Sequence, residues 1–164
     1  MNIKSSVTVV SFALLFVVIL SSCGNNKSYI LEGTTTFDES TWVQADTLDY
    51  NVNISDTTTR YNIGMTLKHN KDYTYQNIYL MIYTTFPDGK RYSKQVNIDI
   101  ADKTGKWYSD CSGNTCTVEI DIQREAIFNQ AGKYTFTIEQ FTRDEQLANI
   151  QSISFYIEDT GKSR

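Results

Sequence analysis

The sequence predicts an all-β protein, an antiparallel β-sandwich of about eight strands, with jelly-roll and immunoglobulin-like topologies both open. Three observations carry that expectation. Aromatic residues make up 13% of the 164 residues, with eleven Tyr, eight Phe and a single Pro, and such side chains suit a half-buried pleated surface better than a helix. Apolar and polar residues alternate with period two in one segment after another, placing every second side chain on one face of a strand. Turn-forming groups separate these segments at Pro87-Asp88-Gly89, Lys103-Thr104-Gly105, Ser112-Gly113-Asn114 and Ala131-Gly132. The length fits one domain with a real core.

The chain opens on a leader. Met1-Asn2-Ile3-Lys4 gives a short positive start, and Val7 to Leu20 is apolar apart from Thr8 and Ser11. As a helix that run spans about 21 Å, short of the ~30 Å hydrocarbon core, so it reads as a secretory h-region rather than a transmembrane span. Leu20-Ser21-Ser22-Cys23 then has the aliphatic, small, small, Cys form of a bacterial lipobox. The small residues let an extended segment enter the signal peptidase, and the Cys23 thiol accepts a diacylglyceryl group. Each buried CH₂ contributes about 0.8 kcal/mol, so two or more acyl chains anchor stably. Residues 24–28 carry no acidic group. Default sorting is therefore expected to leave the protein lipid-anchored in the outer membrane and facing the periplasm. Residues 1–22 are expected as signal peptide, 23–36 as a lipidated tether, and 37–160 as one β-sandwich domain.

The strands follow in order. One is expected around Phe37 to Val43. Leu48, Tyr50, Val52 and Ile54 alternate with polar residues, and Tyr61, Ile63, Met65 and Leu67 continue the pattern. Ile78 to Tyr83 is apolar on both parities, as a strand covered on both faces would be. Val96, Ile98 and Ile100, then Val118, Ile120 and Ile122, then Tyr134, Phe136 and Ile138, and finally Ile153, Phe155 and Ile157 complete the set. Gln123 to Gln130 and Thr142 to Asn149 break the alternation, and each has room for a helical turn.

Composition limits the chemistry. A net charge of −4 without a basic block argues against nucleic acid as a partner. One His, His69, supports no Ser/His/Asp or Cys/His constellation and no His-rich metal site. Glu119 and Asp121 share a sheet face, as strand alternation alone would place them. The early acids Asp38, Glu39, Asp46, Asp49 and Asp56 lack the spacing of a calcium loop. No catalytic residue, metal or cofactor is expected. Cys111 and Cys116 bracket a short loop between strand-like segments, within reach of a disulfide in an oxidising exported compartment. Tyr73, Tyr75, Tyr79 and Tyr83 share one parity; with Trp107 they form either aromatic core packing, a platform for a glycan, or a contact patch for a protein.

Three stretches carry a family resemblance. They are His69-Asn70-Lys71-Asp72-Tyr73-Thr74-Tyr75-Gln76-Asn77-Ile78-Tyr79-Leu80 followed by Thr84-Thr85-Phe86-Pro87-Asp88-Gly89-Lys90; Ile100-Ala101-Asp102-Lys103-Thr104-Gly105-Lys106-Trp107; and Gly132 to Gln140 running into Arg143-Asp144-Glu145-Gln146-Leu147. In this order, after a lipobox, they resemble the gliding-motility lipoproteins of the GldH type in Bacteroidetes. The resemblance implies a lipoprotein needed for movement over surfaces, linked to the motility and type IX secretion machinery, with envelope proteins as partners and no catalytic residues. Asn77, Tyr79, Asp102, Trp107, Gln140 and Arg143 fall on motif positions. Arg143 is expected either to pair with Asp72 or Asp144 and fix loops, or to touch a partner. The expected function is a non-enzymatic accessory lipoprotein; the alternative is a carbohydrate-binding module using the aromatic face. In both, the candidate surface is Tyr73, Tyr75, Asn77, Tyr79, Trp107 and Arg143.

Overall fold

The computed structural model describes residues 27–164; Cys23 and the leader lie outside the described residues. The strands are β1 Ser28–Thr36, β2 Thr41–Val43, β3 Leu48–Ile54, β4 Thr59–Asn70, β5 Asn77–Thr85, β6 Arg91–Asp99, β7 Asp110–Ser112, β8 Thr115–Ala126, β9 Gly132–Gln140, β10 Gln146–Ala148 and β11 Ile150–Ser163. One sheet runs β1-β11-β4-β8-β7 and the other β3-β9-β5-β6, while β10 pairs with β2 in a small ribbon. Every strand pairing is antiparallel. Setting aside the three-residue strands β2, β7 and β10, the eight long strands follow one another through the two sheets in jelly-roll order. The topology left open by the sequence is thereby decided.

The alternating residues point inward as read. Leu48, Tyr50, Val52 and Ile54 are all buried, as are Tyr61, Ile63, Met65 and Leu67, and Tyr134, Phe136 and Ile138 face Ile153, Phe155 and Ile157 across the core. Stacking of Tyr50 on Phe155 at 5.1 Å joins the two sheets at mid-height.

Four expectations are corrected. Residues 28–36, read as tether, form β1, an edge strand paired along its length with β11. Its inward position Gly33 has no side chain because the Tyr50 ring lies there, 3.0 Å from where a Cβ would stand. The stretch 37–43 begins with a 3-10 turn, Asp38–Ser40, and is extended only from Thr41. Neither 123–130 nor 142–149 holds a helical turn; β8 runs on to Ala126, and 146–148 is β10. Finally, β5 is covered on one face only. Ile78, Leu80 and Ile82 are buried, but Tyr79 stays 39% exposed because no layer lies outside its sheet.

The sandwich has two distinct ends. At the entry end, where β1 starts, lie the 86–90 hairpin, the 127–131 loop and the C-terminus. At the far end lie the 37–47 segment, the 71–76 and 100–109 loops, the Cys111–Cys116 hairpin and the 141–149 segment.

Candidate functional site

The candidate residues separate into a surface group and a supporting group. Tyr75, Asn77, Tyr79 and Arg143 line a cleft of about 670 Å³ at the far end, on the outer face of the β5–β6 pair. Gln95, Phe141, Thr142 and Asp144 complete it. Three rings reach solvent there: Tyr75, Tyr79 and Phe141. Tyr73 is instead buried at 4% exposure, and Trp107 is half-buried. The chain bends between β4 and β5, so the parity shared by Tyr73 and Tyr79 in sequence does not carry through in space. Tyr73 turns inward, donates to the Asn77 carbonyl at 3.2 Å, and packs edge-on beneath Tyr75 at 5.8 Å. Burial pushes its phenol well above the ordinary value.

One buried amide builds the wall that sequence reasoning left out of the site. Gln140 ends β9 with 2% exposure. Its Nε2 donates to the Asp144 carbonyl at 2.9 Å, and its Oε1 accepts from Thr142 N at 3.1 Å and from the Thr142 hydroxyl. A buried side-chain amide must find such partners, and here they fold residues 141–144 back over β5. Phe141 N donates to the Tyr79 carbonyl at 2.8 Å and closes the turn. Gln140 had one signal in the sequence, its place in the family-like motif.

Charge in the cleft is arranged asymmetrically. Tyr75 donates to Asp144 Oδ2 at 2.5 Å, and that carboxylate, as acceptor, pushes the phenol above its usual range. Arg143 pairs with neither Asp72 nor Asp144, correcting the first of its two expected roles; among the described residues it makes no ion pair. Asp144 is already engaged across the cleft by Tyr75. Asn77 Nδ2 donates to Asn97 Oδ1 at 2.9 Å, which fixes the amide on the sheet face. The cleft thus offers three ring faces, the fixed Asn77 amide and the Arg143 guanidinium.

The remaining motif residues serve as supports. Asp102 Oδ1 accepts from Thr104 N at 2.8 Å, from the Thr104 hydroxyl at 2.7 Å and from Lys106 N at 3.0 Å. Those bonds, led by the Thr104 hydroxyl, hold its carboxyl below the usual range. Trp107 pairs with Ala101 and meets His69 edge-on at 4.6 Å. Cys111 and Cys116 face each other in the β7–β8 register and are joined, with Cα atoms 4.0 Å apart. Gly113, at φ +60°, supplies the positive dihedral that the first turn position of this tight hairpin needs.

Comparison with known proteins gives the following. A family model described as GldH lipoprotein matches residues 29–157. The gliding motility lipoprotein GldH homolog of Christiangramia forsetii is 26% identical over 90% of this chain and 93% of its own. The gliding motility lipoprotein GldH of Flavobacterium johnsoniae is 25% identical over 96% of this chain and 98% of its own. Among solved structures, Xyl-CBM35 in complex with a glucuronic acid containing disaccharide is 15% identical, covering 82% of this chain and 83% of that one, with a TM-score of 0.36. CBM35 from Cellvibrio japonicus Abf62 is 15% identical over 82% and 92%, with a TM-score of 0.33. Scores this low carry no argument about the ligand of this chain.

Proposed function

The chain belongs to the GldH lipoprotein family, and we propose that it is a non-enzymatic accessory lipoprotein of the gliding motility and type IX secretion machinery. Anchored through Cys23 in the outer membrane and facing the periplasm, it docks an envelope protein in the far-end cleft. The observation that supports this reading is the cleft itself. Tyr75, Tyr79 and Phe141 stand exposed around Arg143. Exposed aromatic rings grouped beside an arginine are what protein contacts most often concentrate. Tyr79 stands on strand β5, and Phe141 and Arg143 sit on a loop fixed by Gln140 rather than on a mobile tip.

The test is cross-linking and capture of the lipidated protein from cells, comparing the native chain with Tyr79→Ala and Arg143→Glu. A motility or secretion component recovered with the native chain and lost with both variants, alongside reduced spreading of cells on a surface, is the expected result. Recovery of the same component by both variants would overturn the cleft as its site. The glycan reading keeps Tyr75 and Tyr79 but loses Tyr73 and Trp107 as exposed platforms. Saturable binding of oligosaccharides to the native chain, abolished by Tyr79→Ala, would favour it instead.

A further inference from the structure

Net charge is not spread evenly between the two ends of the sandwich in this acidic chain. Arg60, Lys90, Arg91, Lys133, Lys162 and Arg164 all lie at the entry end, beside the start of β1. Asp38, Glu39, Asp46, Asp102, Asp144 and Glu145 lie at the far end, where Lys71, Lys103, Lys106 and Arg143 offset part of their charge. Some of the entry-end charge is balanced there, by Asp56, Glu158 and Asp159 as well as by ion pairs, and a smaller positive excess remains. Arg60 and Lys162 share Glu125, and Lys90 is held by Asp88 at 2.8 Å. Arg91, Lys133 and Arg164 make no ion pair among the described residues. The Arg91 guanidinium lies 4.1 Å from the Tyr83 ring centre, and Arg164 donates to Asn129 Oδ1 at 3.1 Å, so both cations keep their full charge. Tyr29 and Ile30, both exposed, sit at the same end on β1.

We propose that this entry end is a membrane-facing surface that rests on anionic phospholipid headgroups. The proposal rests on the reading of Cys23 as lipid anchor, and is independent of what occupies the far-end cleft. Ser28 opens β1 five residues after Cys23, and five extended residues reach roughly 18 Å at most. The tether thus lets the entry-end loops come within the Debye length of about 8–10 Å over which the surface field acts. The far end is one strand further off, roughly 30 Å for the nine residues of β1 at about 3.3 Å each. At that distance salt screens the far end from the surface field, so the near-end contact sets the orientation. Each Lys or Arg held at an anionic surface favours that contact by about fivefold. The domain therefore stands upright, with its cleft pointing away from the membrane.

A tryptophan reporter tests this in the full lipidated chain. Gln130→Trp places one in the exposed 127–131 loop at the entry end, and Tyr108→Trp places one at the exposed far end. Each protein is reconstituted in vesicles of brominated phosphatidylethanolamine, with or without phosphatidylglycerol. The expected result is loss of the added emission at position 130 on phosphatidylglycerol vesicles, its return at high salt, and no change at position 108. Arg91→Glu with Lys133→Glu, both exposed, should abolish the loss while leaving the thermal midpoint in detergent unchanged. Equal quenching on phosphatidylethanolamine alone, quenching at position 108, or no quenching at position 130 would overturn the proposal. Inorganic phosphate that displaces the contact at ionic strength too low for sodium chloride to do so would assign the cations to a small-anion site and also overturn it. A protein that does not float with the vesicles at all lacks its anchor, which separates failure of the Cys23 reading from failure of this one.

Discussion

Both ends of the sandwich pack aromatic rings, with Phe37 on Trp42 and His69 against Trp107 at the far end. Only the far end adds a network that ties its loops to one another. At the entry end, rings close the core in a chain of edge-on contacts. Tyr61 meets Phe128 at 5.4 Å, Phe128 meets Tyr134 at 4.8 Å, and Phe86 meets Tyr134 at 5.3 Å and Tyr92 at 5.4 Å. At the far end, amides and a disulfide tie loops to one another. Asn70 N donates to the Asn149 carbonyl at 2.9 Å, Asn149 Nδ2 to the Asp72 carbonyl at 3.1 Å, and Lys71 N to the Asn114 carbonyl at 3.0 Å. Apolar burial is strong but non-directional, whereas hydrogen bonds contribute less and fix geometry. The end that presents a shaped cleft is built with the directional force. The entry end closes on aromatic burial with fewer such ties.

The sharpest way to break this comparison is Phe128→Ala. Phe128 is buried and touches Tyr61, Tyr134 and Phe136, and removing such a ring costs about 3–5 kcal/mol. The denaturant midpoint should fall for the whole domain at once. A loss under about 1 kcal/mol would mean that the entry end is held by something other than its rings. Gln140→Leu is expected to act more weakly and more locally. It removes hydrogen bonds to Thr142 and Asp144 that contribute about 1–2 kcal/mol together. Amide exchange at residues 142–144 should quicken while the core amides keep their protection. Uniform quickening across β9 and β5 would show that the amide supports the core rather than the cleft.

How much of this was legible in the sequence follows the same division. Seven of the eight long strands announce themselves, six because apolar burial leaves a period-two trace, as in Leu48 to Ile54, and β5 as a continuous apolar run. β1 leaves none, since it is an edge strand and gives up its central inward side chain at Gly33 to admit Tyr50. The cleft is legible as residue types but not as a shape. Its wall depends on Gln140, which shares the inward parity of Tyr134, Phe136 and Ile138 but is polar, so alternation and residue type disagree there. The Tyr75–Asp144 bond joins residues 69 apart in sequence, and no local rule selects it over the adjacent Arg143–Asp144 pair. Directional contacts between loops leave no periodic trace.

The smallest expected effect sharpens the comparison from the far end, where the one titrating imidazole is enclosed. His69 has 0% exposure, between the β11 and β8 register partners Ile150 and Cys116 and against the rings of Tyr73 and Trp107. Its Nδ1 lies 2.9 Å from the Asn70 carbonyl. A carbonyl only accepts, so Nδ1 carries the proton, and Nε2 is left bare without a partner. Burial lowers its pKa below the ordinary value near 6.5, against the opposing pull of the Asn70 bond. Below about pH 6.5 the unfolded chain therefore takes up a proton that the folded chain refuses, and folding stability must decline as pH falls from that point. Denaturant midpoints between about pH 7.5 and 5.5 should drop for the native chain, bracketing that ordinary imidazole value. His69→Gln, which cannot titrate, should lower the midpoint overall but flatten its dependence on pH in this window. Parallel slopes for the two proteins would show that the imidazole gains an acceptor for Nε2 on protonation, so that the far end opens at His69 more readily than its enclosed packing implies.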